Sequence, residues 1–127
     1  MTDPDVQSSL RLAREALADA RFLLNGERLR AAVNRAYYGV FYAAQAALLS
    51  VGETVRSHAG IKRRFSFHFI RTGRLSEDTG SILAFVEDAR NRADYDVFTV
   101  FEPAAIADLI ADANAFIEAV ESLLQSP

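Results

Sequence analysis

Ala31-Ala32-Val33-Asn34-Arg35-Ala36-Tyr37-Tyr38-Gly39-Val40-Phe41-Tyr42-Ala43-Ala44 is the stretch on which the fold turns. Val33, Ala36, Tyr37, Val40, Ala44, Ala47, Leu48 and Val51 recur at three- and four-residue intervals and define a core face of a helix over about 27–51. Arg35, Tyr38, Tyr42, Gln45 and Leu49 follow the same spacing on a different side. A helix with two such faces is either central in the fold or shared with another subunit. Gly39 lies beside the second stripe, where glycine costs about 1 kcal/mol relative to alanine. Close approach of another backbone would account for it.

Working outward, Leu10, Ala13, Leu17, Ala20 and Leu24 mark a first helix over about 3–25, with Thr2 or Asp3 as cap, Pro4 in its first turn and Gly26 at its end. Residues 53–75 are less regular. Ile61, Phe65, Phe69 and Leu75 line a shorter third helix that ends at Arg71-Thr72-Gly73. A fourth helix starts near Ser76, with Glu77 and Asp78 favourable to its N-terminal dipole and Ile82, Phe85, Val86, Ala89 and Ala93 as its stripe. Residues 94–102 break the pattern and read as a connection, with a weak strand signal at 97–101. Pro103 opens a fifth helix striped by Ile106, Leu109, Ile110, Ala113, Phe116, Ile117, Val120 and Leu124. The sum is an all-α, up-and-down antiparallel bundle of four long helices and one shorter one, a single domain over 1–127.

Composition agrees. A chain of 127 residues, half of them apolar, is one ordinary globular domain. No run approaches the ~20 apolar residues of a membrane span. Cysteine is absent, which excludes disulfides, a thiolate nucleophile and cysteine-based zinc sites. The acidic N-terminus has no apolar core and is not a signal peptide, so the expected location is the cytoplasm. The net charge of -3 hides an asymmetry: residues 1–92 carry +4 and residues 93–127 carry -7. Residues 54–76 hold Arg56, Lys62, Arg63, Arg64, Arg71 and Arg74 without an acid, a face suited either to phosphates or to pairing with the acidic last helix.

There is no glycine-rich phosphate loop and no nucleophile elbow, and His58 and His68 lack metal-ligand spacing, so neither metal nor cofactor is expected. Glu77-Asp78 and Glu87-Asp88 are adjacent pairs that a helix points apart, and they read as solvated faces. The informative cluster is Arg90-Asn91-Arg92-Ala93-Asp94-Tyr95. Arg90 borders the core stripe and, four residues from Asp94, can pair with it. Tyr95 is five residues from Arg90, so the two converge only if the chain bends near 93–95. Ser57 suits the cap of the third helix, placing His58 at a helix N-terminus that favours neutral imidazole and bound anions. His68, among Phe65, Phe67 and Phe69, reads as packed. Arg35, Tyr38 and Tyr42 suit either base stacking or a dimer interface.

The 31–44 stretch resembles the second-helix signature of prokaryotic HEPN domain proteins. Ser57-His58-Ala59-Gly60, Phe65, His68-Phe69, Thr72-Gly73-Arg74-Leu75 and Arg90 through Ala93-Asp94-Tyr95 resemble the rest of that branch in order, over about 8–125. The resemblance implies a helical bundle that forms homodimers. It also implies similarity to the substrate-binding helical domain that accompanies minimal nucleotidyltransferases, with such pairs acting as toxin and antitoxin. Active HEPN toxins are metal-independent RNases whose motif is Arg, four to six residues, then His, with Arg on the scissile phosphate and His as acid or base. Arg90 matches the arginine, but position 95 is Tyr, no His follows His68, and the tyrosine that partner enzymes nucleotidylate in some members is replaced by Val97. Tyr, with an ordinary pKa near 10, is a poor base at neutral pH.

These observations predict a dimeric nucleotide- or RNA-binding HEPN protein that works with a nucleotidyltransferase. Arg90, Arg35, Tyr38 and Asp94 would form its ligand site. Two alternatives stand beside it: a metal-independent RNase using Arg90 with His58 or Tyr95, and an interaction module that binds a protein through the second helix.

Overall fold

The computed structural model describes residues 3–125. Five α-helices follow in order: α1 (Pro4–Asn25), α2 (Leu29–Ser50), α3 (His58–Phe65), α4 (Glu77–Tyr95) and α5 (Pro103–Gln125), with a π-helical turn over Ser66–Ile70 continuing α3. No strand occurs among the described residues, so the weak signal at 97–101 comes to nothing. The bundle is all-α, as the apolar period requires.

The helix boundaries have local causes. Asp3 accepts the Asp5 N–H at 2.7 Å and Pro4 follows as first helical residue; Thr2, the other candidate cap, lies outside the described residues. Helix α2 stops where Gly52 takes φ +82°, a left-handed geometry that lets Glu53 N–H donate to the Leu48 carbonyl at 3.0 Å. Ser57 caps α3 by accepting the Gly60 N–H at 3.0 Å, and Ser76 caps α4 by accepting the Thr79 N–H at 3.2 Å.

Helix α2 is central and packs against α1, α3, α4 and α5. Its core stripe is buried from Val33 to Leu48, and only Val51, past the helix end, escapes. A Cβ on Gly39 would lie 3.3 Å from the Ala13 carbonyl oxygen, so the close backbone is that of α1 in the same chain. On α4 the stripe is set differently from its expected position. Leu83 and Thr79 are buried beside Val86, Ala89 and Ala93, whereas Phe85 is 49% exposed and borders a shallow groove with Phe101 and Ile106. The π turn also departs from a single third helix. Its wider turn keeps Phe69 beneath Phe65, the rings 5.2 Å apart, and Phe116 of α5 lies 5.2 Å from Phe65 on another side.

Helix α4 runs through Tyr95, past the expected break at 94, because the following turn is fastened from outside. Arg30 of α2 donates to the Ala93 carbonyl at 2.9 Å and to the Thr99 carbonyl at 2.5 Å. Asp96 accepts the Phe98 N–H at 2.9 Å and the Thr99 hydroxyl at 2.8 Å. Those two bonds, the Thr99 hydroxyl foremost, hold the Asp96 carboxyl below its ordinary range. The C-terminal end of α4, which carries Arg90 and Asp94, is thereby fixed against α2.

Candidate functional site

Three elements meet over the aromatic residues of α2. The Ser57 cap turns the chain so that His58, first residue of α3, lies on Tyr37, Phe41 and Tyr38. Its ring stacks on Tyr37 at 5.5 Å and 16°, lies 4.6 Å from Phe41 and meets Tyr38 edge-on at 6.0 Å. The Tyr37 Oη and His58 Nδ1 are 2.6 Å apart, in hydrogen-bond contact. Burial foremost, and then the Arg90 charge, push the imidazole below its ordinary pKa, while Glu87 pulls the other way. The expectation of a neutral imidazole is met in direction, but its causes are burial and Arg90. Burial likewise pushes the Tyr37 hydroxyl well above the usual phenol range.

Arg90 comes to the same place from α4. Its guanidinium lies 5.3 Å from the Tyr37 ring, so Tyr37 touches both His58 and Arg90. Arg90 Nε is 3.0 Å from Asp94 Oδ2, in an ion pair whose angle falls short of a hydrogen bond and leaves the buried Nε without one. Asp94 also accepts from the Asn34 amide at 3.3 Å, which ties Arg90 to α2. No bend was needed to bring Tyr95 near Arg90: the long arginine spans the angular gap, with 5.9 Å between guanidinium and ring. Tyr95 itself is 74% exposed.

In front of this assembly is a groove of about 810 Å³. His58, Lys62, Arg63, Arg71 and Arg90 line it together with Ala59, Ser66, Glu87 and Asn91. Glu87 is therefore no merely solvated carboxylate. It accepts from Lys62 at 3.0 Å and is the one acid on a wall that carries four cations besides the histidine. Arg63 and Arg71 have no ion-pair partner among the described residues.

Of the six residues expected at the site, His58 and Arg90 line the groove, and the exposed Tyr95 does not. Asp94 sits behind Arg90 and orients it. Tyr38 packs against the edge of His58, and Arg35 lies over the Tyr38 ring at 5.3 Å, neither reaching the groove wall. Tyr37, read only as core, was missed as the histidine's partner. Lys62, Arg63 and Arg71 were visible as a charge run, though nothing in the run tied them to Arg90. His68 is packed, as expected, and is held by Glu53 and Arg64 away from the groove. Among the described residues no cluster of three or more carboxylates and histidines is arranged to hold a metal.

The matching family is that of the HEPN domain, over residues 6–123. This chain belongs to the HEPN domain family. Among its relatives is a "UPF0332 protein" of Thermotoga maritima, 37% identical over 91% of this chain and 87% of the relative. Another, from Methanocaldococcus jannaschii, bears the name "Putative toxin MJ0605" and is 31% identical over 95% of this chain and 90% of its own length. A second protein of that organism, "Putative toxin MJ0142", is 25% identical over 96% of this chain. None of the described helices is long and apolar enough to cross a membrane.

Proposed function

We propose that this HEPN protein binds RNA or nucleotide phosphate in the groove between α3 and α4, as part of a toxin–antitoxin-type system with a nucleotidyltransferase partner. The observation that carries the reading is the convergence of Lys62, Arg63, Arg71 and Arg90 around one opening with His58, whose pKa burial and Arg90 lower, against a single carboxylate. An excess of guanidinium groups presents paired N–H donors to phosphate oxygens at low desolvation cost. The toxin names of two relatives, and the family's association with nucleotidyltransferases, support the system. A homodimer belongs to the same reading. Tyr42, Gln45 and Leu49 form the half-exposed side of α2, and a second copy seated there would extend the bundle.

A second reading has one specific observation in its favour. His58 and Arg90, far apart in sequence, line the same groove, so a proton acceptor and a phosphate clamp coexist there. That is the minimum for metal-independent RNA cleavage. Labelled structured RNA in chelator, run on a gel read for both shift and cleavage, separates the two. The binding reading expects a shift by wild type and at least about tenfold weaker binding by Arg90→Ala, the loss of a charge-assisted contact. Absence of a shift with wild type overturns it. Cleavage lost in both Arg90→Ala and His58→Ala would establish the second reading instead.

A further inference from the structure

The contact between Tyr37 and His58 places a proton. Tyr37 is 1% exposed, and its hydroxyl has a single hydrogen-bond partner among the described residues, His58 Nδ1. A buried O–H that donated nowhere would bear its full desolvation penalty. The O–H therefore donates to Nδ1, Nδ1 is the unprotonated nitrogen, and a neutral ring carries its hydrogen on Nε2. The same bond opposes the imidazolium. With Nδ1 protonated, the phenol oxygen would have to accept, and its own hydrogen would lose its acceptor. Nε2 has no hydrogen-bond partner among the described residues, and the ring lines the groove.

We infer that Tyr37 is a positioning residue that locks His58 as the neutral Nε2–H tautomer, so that His58 serves the groove as a hydrogen-bond donor to a phosphate oxyanion beside Arg90, and not as a proton acceptor. The inference rests on the groove being a phosphate site, and of the two readings above it favours binding. The groups facing His58 are Tyr37 and Tyr38 from α2, Lys62 and Arg63 from its own helix, Arg71 beyond the π turn, and Glu87 and Arg90 from α4. The cations outnumber Glu87 and add to the preference for a neutral ring. A neutral donor does not titrate away: binding through it stays level as pH rises from 7 to 8. An imidazolium contact would weaken over the same rise.

Long-range proton–nitrogen NMR of the full chain with labelled histidine reads the tautomer directly. Wild type is expected to show the Nε2–H pattern at His58 at neutral pH. Tyr37→Phe keeps the ring and removes only the donor, so it should mix the tautomers and raise the His58 pKa toward the ordinary value. Anisotropy of a fluorescein-labelled single-stranded RNA with a 5′-hydroxyl then reads the consequence. Tyr37→Phe should bind about three- to tenfold more weakly, the range of one neutral hydrogen bond. His58→Gln, whose amide N–H falls near the Nε2 position, should retain most of the affinity that His58→Ala loses. Competition by adenosine monophosphate but not by inorganic phosphate would assign the oxyanion to a nucleotide; competition by neither assigns it to the RNA backbone. An Nδ1–H pattern in wild type, or a His58→Gln as weak as His58→Ala, overturns the inference and leaves the binding reading intact. Absence of all RNA and phosphate binding overturns that reading, and the donor role with it, whatever the tautomer.

Discussion

His58 and His68 lie on the same short stretch of chain and keep opposite company. His58 faces a phenol and an arginine, with Lys62, Arg63 and Arg71 along the same wall. His68 contacts the Glu53 carboxylate, which also accepts from Arg64 at 2.9 Å, while the Arg64 guanidinium covers the Phe67 ring at 4.5 Å. Around His68, cation and carboxylate meet within the chain. Around His58 they do so only in part: Lys62 pairs with Glu87 and Arg90 with Asp94, while Arg63 and Arg71 have no opposite charge among the described residues. Charge left open on a concave wall is what an anionic ligand closes. The same residue types a few positions on, supplied with one glutamate, hold two segments together instead.

The largest expected effect comes from cutting what joins the two regions. Phe65 stands between the histidines in sequence and touches both Phe69 of the π turn and Phe116 of α5. Phe65→Ala should cost about 3–5 kcal/mol, the transfer term plus an unfilled cavity, and lower the melting temperature by roughly 10 °C or more. Thermal unfolding by circular dichroism checks the magnitude. Histidine NMR of the variant should show both His58 and His68 resonances displaced. A shift at one alone would mean that the phenylalanine cluster does not couple the two ends of this segment.

The fold was legible because burial follows period. The stripes of α2 and α5 needed nothing but three- and four-residue spacing, and only Val51 and Leu124, at the helix ends, escape full burial. Phe85 has the size and apolarity of a core residue but sits beside the buried stripe, and the smaller Thr79 and Leu83 occupy the core positions. The site was legible only in pieces. Arg90 with Asp94 could be read from a four-residue interval, and Ser57 from cap chemistry. The meeting of His58 with Arg90 depends on how α3 lies across α2 and α4, and no local interval encodes that. Tyr37 was hidden for another reason: a tyrosine in an apolar stripe declares its ring, while its hydroxyl partner belongs to another helix.

A smaller effect sharpens the charge contrast. If Arg71 contacts a phosphate, Arg71→Ala should lower the slope of log affinity against log salt by about 0.7 for single-stranded RNA, one contact's worth of released counterions. Arg64→Ala should leave the slope unchanged, because Arg64 is engaged with Glu53 and does not line the groove. Anisotropy titrations over a range of potassium chloride measure both. Equal slopes in the two variants would erase the distinction between an open and a closed cluster.

The smallest effect is read in acid. Arg64 foremost, and His68 after it, hold the Glu53 carboxyl below its ordinary pKa. A depressed carboxylate contributes stability that is present above the unfolded value of about 4.3 and is lost as pH falls through the folded one. His58 is also depressed, so the unfolded chain takes up its proton first, and stability falls as pH drops below about 6.5. The two histidine regions thus weaken in separate windows. Glu53→Gln should flatten the limb below about pH 4.3 and leave both the limb just below 6.5 and RNA binding as in wild type. Denaturant unfolding at stepped pH resolves the limbs. If Glu53→Gln removes the upper one instead, the charge closed around His68 and the charge open around His58 are one coupled system, and the groove cannot be treated apart from its neighbour.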